Sequence, residues 1–300
     1  MRIGVDLGGT KIEAIALDDA GLERARRRVP TGSERGYDAI VREVRDLVGA
    51  LERELGERGT VGVGTPGAIS PATGLLKNAN TVCLNGRPLD RDLSAALERE
   101  VRLANDADCF ALSEATDGAA AGEPVVFGVI LGTGTGGGVV VNGRLLAGPN
   151  AIAGEWGHNP LPWPREDELP GPPCYCGKKG CIETWVSGPG LAADHARVTS
   201  ERVDAAELAA RAARGDAAAS ASLERHADRL ARSLATVIDL LDPHAIVLGG
   251  GLSNLAHLPD AVRTRWCSYV FSDTVATRLV PALHGDSSGV RGAAWLWPPR

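Results

Sequence analysis

The sequence predicts an α/β protein built from two related domains. A unit of apolar strand, glycine-rich turn and second apolar strand occurs twice in the 300 residues, over Ile3–Leu17 and again over Val125–Val141. Elsewhere, segments with helical spacing alternate with short apolar runs, a pattern that favours α/β architecture. Because a chain of this length can bury two cores, we expect one such unit in each domain, with both turns facing a shared cleft.

The first half is predicted to contain one long helix flanked by strands. Apolar residues recur at helical spacing over Tyr37–Leu55, and Gly56 then ends the pattern. Val61–Pro66 is predicted to be a strand that runs into a turn. Val101–Ala104 is predicted as a further strand, followed by an alanine-rich helix that extends to about Ala121.

The second half is predicted to begin with a loop-rich segment and to continue with helices and a strand. Residues 142–190 are rich in glycine, proline and cysteine. Helices are predicted at about Asp204–Arg214 and Ala217–Leu241, and a strand at Ala245–Leu248. A final short helix, at about Ser288–Leu296, begins at a serine cap.

These elements define the predicted domains. The first spans residues 1–118 and the larger second spans 119–287, with the change near Gly118–Pro124, where helical patterning breaks. The C-terminal segment, about 288–300, is predicted to pack back on the first domain. Residues 158–181 are predicted to form a zinc-binding loop in the second.

Charge and composition exclude several classes of protein. A formal net charge of −6 leaves no basic surplus to displace the counterions of a nucleic acid. The arginines within Arg24–Arg28 have acidic neighbours and are predicted to form a solvated face. Asp6 interrupts the apolar run that a signal peptide needs, and no apolar stretch approaches the length of a membrane span. We therefore expect a cytoplasmic protein with neither nucleic-acid nor membrane partners.

Four side chains in the loop-rich segment have the spacing of a structural zinc site. They are His158, Cys174, Cys176 and Cys181. A closed Cys₃His set leaves no coordination position for water, and a reducing compartment disfavours a disulfide. Two carboxylates, Glu155 and Glu183, lie beside the outermost ligands and suggest a site for a polyhydroxylated ligand. The isolated Cys83, Cys109 and Cys267 are predicted to be small buried hydrophobes.

Two glycine-rich turns have the composition of phosphate-binding loops. Asp6–Lys11 is DLGGTK and Gly132–Gly136 is GTGTG, and each follows a predicted strand. Glycines let backbone amides approach an anion closely, and the aspartate of the first loop could hold water on Mg²⁺. A tight hairpin turn is the alternative for either loop alone, but the pair favours nucleotide phosphates.

A third glycine run, Gly249–Gly251, also follows an apolar strand. Its bare backbone could approach a purine or a ribose, and a tight strand-to-helix connection is an equally good interpretation. The candidate nucleotide-binding residues are Asp6, Gly8, Gly9, Thr10, Lys11, Gly132, Thr133, Gly134, Gly249, Gly250 and Gly251.

The sequence Asn105-Asp106-Ala107-Asp108 follows a predicted strand, at the end where α/β proteins place active-site groups. Asp106 could accept a hydroxyl proton while Asn105 holds a neighbouring hydroxyl. The alternative is an N-cap for the following helix, and both roles are compatible.

With these motifs placed, the chain resembles the ROK family of sugar kinases, which have the two-domain actin-like (ribonuclease H-like) ATPase fold. The motifs are DLGGTK, GTGTGGG, GEWGH and CYCGKKGCIE, and the resemblance covers essentially all 300 residues. Within the family, Lys77–Gly86, Gly154–Trp163, PCYCGKKGCIETW and HGDSSGVRGAAWLW resemble bacterial fructokinases of the manno(fructo)kinase type. The fifteen residues between His158 and Cys174 form a proline-rich spacer, which we interpret as a mark of fructose specificity.

The resemblance implies ATP-dependent phosphorylation of the 6-hydroxyl of fructose, and of mannose, with Mg²⁺ and a structural Zn²⁺. It implies that Asp106 is the general base and that the chain forms a homodimer. The implied sugar-binding residues are Asn105, Asp106, Glu155, His158, Glu183, Asn78 and Asn80. The alternative is a glucokinase or an N-acetylhexosamine kinase of the same family. A sugar-responsive transcriptional regulator is a remote alternative, because the first strand begins at residue 2 and leaves no room for a DNA-binding element.

Overall fold

The computed structural model describes residues 1–298, and its contacts divide the chain into two compact units. The first unit comprises Met1–Gly122, Gly138–Ala153 and the chain from Leu283 onward. The second comprises Glu123–Gly137 and Gly154–Ala282. The last two residues of the predicted segment 288–300 lie outside the described residues.

The described residues form strands and helices in alternation along most of the chain. The strands are β1 (Arg2–Leu7), β2 (Lys11–Leu17), β3 (Glu23–Pro30), β4 (Thr60–Thr65), β5 (Ala68–Ile69), β6 (Leu76–Lys77), β7 (Val101–Asn105), β8 (Val125–Leu131), β9 (Thr135–Val141), β10 (Arg144–Leu145), β11 (Ala245–Gly249) and β12 (Arg278–Pro281). The helices are α1 (Tyr37–Leu55), α2 (Leu89–Leu97), α3 (Asp106–Thr116), α4 (Glu183–Val186), α5 (Gly188–Thr199), α6 (Ala205–Ala213), α7 (Ala217–Leu241), α8 (Leu258–Trp266) and α9 (Ser288–Trp295). Within residues 1–298, no helix combines the length and the hydropathy that crossing a membrane requires.

The first unit is built on a sheet with the strand order β3-β2-β1-β4-β7. Strand β1 pairs antiparallel with β2 and parallel with β4, and β4 is parallel to β7. Side chains of β2 alternate between two faces, as a strand requires. Ile12 and Ala14 join the core formed with α1 and α2, whereas Ile15 and Leu17 pack with Val290 of α9.

Glycines in the first sheet allow α9 to pack very close to it. A Cβ on Gly4 of β1 would lie 2.0 Å from the carbonyl oxygen of Val290. A Cβ on Gly62 of β4 would lie 1.9 Å from the carbonyl oxygen of Ala293. No real Cβ makes contacts this short, so the helix backbone rests directly on the strands.

In the sheet of the second unit, β11 lies between β8 and β12 and is parallel to both. The long helix α7 contacts α4, α5, α6 and α8 in this unit. Strand β9 leaves the second unit after Gly137, and its later residues pair antiparallel with β10 in the first unit.

Two predictions made from the sequence are wrong in detail. Helix α3 ends at Thr116 instead of near Ala121, because Glu114 closes the chain into a turn. Its carboxylate accepts the amide of Ala119 and its backbone carbonyl accepts the amide of Ala120, both at 2.9 Å. Cys267 is exposed and not buried as predicted, whereas Cys109 is buried and Cys83 is half-buried.

Several regular elements have no counterpart in the sequence prediction. They are β3, β5, β6, β10, β12, α2, α4, α5 and α8. Strand β3 carries the arginine run, whose side chains are exposed or half-buried, so it shows no apolar alternation. Its arginines pair with acidic residues, as Arg26 does with both Glu13 and Glu23.

Candidate functional site

Asn105 and Asp106 lie at the junction between β7 and α3 in the first unit. The Asn105 side chain caps α3 by accepting the amide of Ala107 at 2.9 Å, and one Asp106 oxygen accepts the same amide at 2.8 Å. The Asn105 side chain also donates to the carbonyl oxygen of Gly67 at 3.1 Å. The predicted cap is therefore present, and the Asp106 side chain remains on the exposed surface of the unit.

The first glycine-rich loop links β1 to β2 as a tight turn. The amide of Gly8 donates to the carbonyl of Lys11 at 3.0 Å, and the Thr31 hydroxyl donates to the carbonyl of Gly8 at 2.6 Å. Burial, and after it the negative charge of Asp106, raises the pKa of Asp6 to about 6. These two carboxylates therefore act on each other within the first unit. The Lys11 ammonium lies 3.5 Å from a carboxylate oxygen of Glu13.

Asn78 and Asn80 follow the short hairpin of β5 and β6 and are both exposed. Asn78 has a left-handed backbone, with φ of 62°. Asn85 holds this segment through a pair of hydrogen bonds with the backbone of Ala79, at 2.9 and 2.8 Å. A Cβ on Gly67 would lie 2.8 Å from the amide of Ala79, so the segment lies directly against the residue that binds Asn105.

The second glycine-rich loop links β8 to β9 in the second unit. One carboxylate oxygen of Glu183 accepts the amide of Thr135 at 2.9 Å. The carbonyl of Gly132 accepts the amide of Gly188, at the start of α5, at 2.8 Å. Glu183, predicted to contact sugar, therefore also holds the loop predicted to contact phosphate. Thr133, at the tip of the loop, is exposed.

The run Gly249–Gly251 ends β11 and begins a short 3₁₀ turn. Gly250 has a φ of 79°, and a Cβ there would lie 2.5 Å from the carbonyl oxygen of Leu131. A tight connection accounts for Gly250 without any ligand. Gly251 faces open space, with nothing within 4 Å of the position of a Cβ.

The structure brings the four candidate zinc ligands together in the second unit. Their donor atoms, from His158, Cys174, Cys176 and Cys181, all lie within 4.8 Å of one another. Nδ1 of His158 is 3.6 Å from the sulfur of Cys174, and the sulfurs of Cys176 and Cys181 are 3.6 Å apart.

These distances fit a single tetrahedral zinc ion. Two thiolates bound at about 2.3 Å from a tetrahedral centre lie about 3.8 Å from each other. A disulfide requires sulfurs at about 2.05 Å, much closer than those of Cys176 and Cys181. The donor set of one imidazole and three sulfurs is also the chemistry that zinc prefers.

The other ring nitrogen of His158 faces a tyrosine. Nε2 lies 3.0 Å from the hydroxyl of Tyr175, and the two rings meet edge to face with their centroids 5.1 Å apart. Tyr175 is 83% exposed. Glu155 is exposed at the start of the short turn that carries His158.

Sequence reasoning missed two groups of residues around these sites. Tyr175 lies between two cysteines, where no periodicity marks it. It contacts His158 only once the loop Cys174–Cys181, which we name the knuckle, has folded. Glu168, Arg229 and Arg232 form a buried charged cluster, with nitrogen–oxygen distances of 2.7 to 2.9 Å. The signal for the arginines was their helical spacing on α7.

Comparison with known proteins identifies the family. The sequence model of the ROK family matches residues 2–300. The chain belongs to the ROK family. This ROK protein is 41% identical to an N-acetyl-D-glucosamine kinase from Yersinia pseudotuberculosis serotype O:1b (strain IP 31758), over 99% of this chain and 98% of the relative.

Solved structures agree with this assignment. The ROK hexokinase from Thermus thermophilus superimposes with a TM-score of 0.87 and 34% identity, covering 98% of this chain and 96% of that one. A ROK family glucokinase from Streptomyces griseus, solved in complex with glucose and AMPPNP, gives a TM-score of 0.79 and 27% identity, with 98% of both chains covered. The predicted resemblance to ROK sugar kinases and the predicted actin-like α/β fold are confirmed.

Proposed function

We propose that this ROK protein is an ATP-dependent kinase that phosphorylates the 6-hydroxyl of N-acetylglucosamine. The observation that carries the proposal is the 41% identity, over almost the full length of both chains, to a protein named N-acetyl-D-glucosamine kinase. This relative favours the N-acetylhexosamine alternative over the prediction of fructose and mannose. The fructose prediction rested on the resemblance of four segments to fructokinases and on the long spacer, which is a feature of length and has no chemistry specific to fructose.

Asp106 is proposed as the general base. It stands at the end of β7, is exposed, and is held by the amide of Ala107 in a geometry that Asn105 reinforces. Phosphoryl transfer requires mainly alignment and charge neutralisation, so one positioned carboxylate suffices to take the hydroxyl proton. Asn105 is proposed to hold a neighbouring sugar hydroxyl, with Asn78 and Asn80 as further sugar-binding candidates.

ATP is proposed as the phosphoryl donor, since the Streptomyces griseus glucokinase was solved with AMPPNP. The backbone of Gly8–Lys11 is proposed as the phosphate-binding loop of the first unit, and the backbone of Gly132–Thr133 as a phosphate-binding loop of the second, each taken by itself. Asp6 fits a role near Mg²⁺: burial, and after it the negative charge of Asp106, raises its pKa, and a divalent cation would favour the ionised carboxylate. Mg²⁺ would supply neutralisation of phosphate charge when bound.

Glu155, His158 and Glu183 are proposed as the sugar-binding residues of the second unit. A zinc ion on the three cysteines and Nδ1 of His158 would fix the knuckle and leave Nε2–H as a donor, which faces the Tyr175 hydroxyl at 3.0 Å and would turn to a sugar hydroxyl only in place of that contact. The zinc is proposed to be a structural brace, because four protein ligands leave no open position.

A substrate panel tests this proposal. ADP release from MgATP would be measured with N-acetylglucosamine, N-acetylmannosamine, glucose, fructose and mannose. We expect kcat/KM for N-acetylglucosamine to exceed that for fructose by at least about 100-fold, since a site that pairs with an N-acetyl group rejects sugars lacking it. A higher kcat/KM for fructose or mannose would restore the original prediction. Phosphorylation of none of the five sugars would contradict the kinase proposal.

A further inference from the structure

Helix α7 has a charged face that is partly buried. Four residues at helical spacing form it: Arg229 and Arg232, which are buried, and Arg225 and Asp228, which are half-buried. Arg229 and Arg232 are 2% and 1% exposed. Burying an arginine is costly unless its guanidinium is paired and hydrogen-bonded, so what these residues contact is informative.

Arg225 and Arg229 both pair with the buried Asp194 of α5, at 2.9 and 3.0 Å. Arg229 and Arg232 also bind the middle of the proline-rich spacer, residues Pro162–Glu168, which we name the strap. The Glu168 carboxylate accepts from Nε of Arg229 at 2.8 Å and from both terminal nitrogens of Arg232, at 2.9 and 2.7 Å. Arg232 also donates to the carbonyl oxygens of Pro162 and Trp163, at 3.1 and 2.8 Å. One arginine of α7 therefore fixes three points of the strap.

Further contacts hold the strap from its exposed side. The ring of Trp163 stacks on Tyr269 with centroids 5.7 Å apart. The Tyr269 hydroxyl donates to Asp228 at 2.8 Å, and Arg165 donates to the same carboxylate at 3.0 Å. The strap is thus docked along α7 by a continuous set of charged, polar and aromatic contacts.

Both ends of the spacer pair with the segment that carries Cys181. The amide of Leu161 donates to Gly180 at 2.8 Å, and the amide of Ile182 donates to Asn159 at 2.9 Å. At the other end, the amide of Gly180 donates to Pro172 at 2.8 Å. The segment from Gly180 to Ile182 is therefore held on two sides by the spacer, and Glu183 follows it directly.

We infer that the strap sets the position of the zinc-binding knuckle and of the sugar-binding residues His158 and Glu183, with Glu168 and Arg232 as its positioning residues. This inference rests on the proposed sugar kinase function for its kinetic consequence. This role accounts for the buried charges. An apolar contact between the strap and α7 would stabilise the fold as well, but a carboxylate that accepts several hydrogen bonds holds the strap in one register.

The test compares Glu168→Gln with Glu166→Gln, an exposed carboxylate in the same turn. Hydrogen exchange of peptides covering residues 154–183 would be measured in the folded protein, together with kinetics well below the melting temperature. In Glu168→Gln we expect faster exchange in these peptides and a rise of at least about fivefold in the sugar KM, with the KM for ATP within about twofold of wild type. Glu166→Gln should match wild type in both.

A purely structural role predicts a lower melting temperature with unchanged kinetics and unchanged exchange at 154–183, and that result would overturn the inference. If Glu168→Gln does not fold, Trp163→Ala removes the exposed stacking contact alone and should give the same pattern more weakly. The exchange measurement needs no substrate. A wild-type chain without sugar kinase activity would therefore contradict the proposed function and leave the strap to be decided by exchange.

Discussion

Asp106 is the first residue of α3, where its carboxylate and the Asn105 side chain share the amide of Ala107. Replacing Asp106 with Asn keeps an oxygen for this amide and removes the proton acceptor. We expect the variant to fold and bind sugar as wild type does, with kcat lowered by about 10²–10⁴-fold. Steady-state ADP release and calorimetric sugar binding check both parts. Asp46→Asn, at an exposed position on α1, is the control, and near-normal turnover in Asp106→Asn would remove Asp106 from the base role.

Tyr175 contacts the ring nitrogen of His158 that is not assigned to zinc. With zinc on Nδ1, the Nε2–H group of His158 donates to the Tyr175 hydroxyl at 3.0 Å, and such partners orient metal-binding imidazoles. We expect Tyr175→Phe to lower zinc affinity by about tenfold, measured by competition with a chromogenic chelator. Tyr37→Phe, which loses a hydroxyl bonded to Asp92 in the other unit, should leave zinc affinity unchanged. Equal affinities in all three proteins would show that the tyrosine contact does not orient the ligand.

At the scale of elements, α9 packs closely against α3. We therefore expect alanine substitutions at two glycines of α9 to change the free energy of unfolding in opposite directions. A Cβ on Gly292 would lie 1.6 Å from the carbonyl oxygen of Cys109 in α3, whereas one on Gly289 would approach nothing nearer than 3.8 Å. Gly292→Ala should lower the free energy of unfolding by about 1–3 kcal/mol or more, because the helices must separate. Gly289→Ala should raise it by up to about 1 kcal/mol through helix propensity. Urea unfolding of both variants checks the pair, and no loss in Gly292→Ala would contradict the packing.

The charged face of α7 predicts a dependence of stability on pH. Burial opposes the ionisation of Glu168, but bonds from Arg232, the Arg165 amide and Arg229 hold its pKa at about 2, below the usual 4.5. A carboxyl group whose pKa falls on folding stabilises the protein above its unfolded pKa, and the stabilisation disappears as pH falls through the folded value.

We therefore expect wild type to exceed Glu168→Gln in free energy of unfolding most at neutral pH. The difference should shrink as pH drops from 4.5 towards about 2. Urea titrations at a series of pH values measure it, with Glu166→Gln as the control that should track wild type. A difference that stays constant over this range would mean that folding does not lower the pKa of Glu168.

The same helix shows what periodicity predicts and what it misses. The bounds of α7 agree with the predicted Ala217–Leu241, because its apolar residues repeat at helical spacing. Its buried arginines were not predicted, since a pattern of charges is ordinarily a solvated face, and here the strap and Asp194 of α5 cover it. Strand β3 was missed for a related reason: its exposed arginines leave no apolar alternation to detect.

At the scale of the whole molecule, sequence motifs predicted most residues of the candidate site but not the side-chain contacts that hold those residues in place. The spacing of His158 and the three cysteines anticipated a cluster that the structure brings within 4.8 Å. The contact of Glu183 with Thr135 joins residues 48 positions apart, and no local pattern encodes it. Long-range side-chain contacts of this kind depend on the fold and are therefore beyond what one sequence predicts.

The cysteine cluster also yields a prediction for the whole chain. Its segment is paired to both ends of the spacer, and Glu183 beyond it holds the loop at Thr135, so loss of the metal should affect more than the knuckle. We expect wild type to contain one zinc per chain by elemental analysis and Cys176→Ser to contain much less, because a structural metal contributes folding free energy directly. The variant should lose at least about 100-fold in sugar kcat/KM and melt at a lower temperature. Cys267→Ser, at an exposed cysteine of the same unit, is the control and should retain zinc, activity and stability. Fully active wild-type protein that contains no zinc would contradict the proposed structural role of the metal.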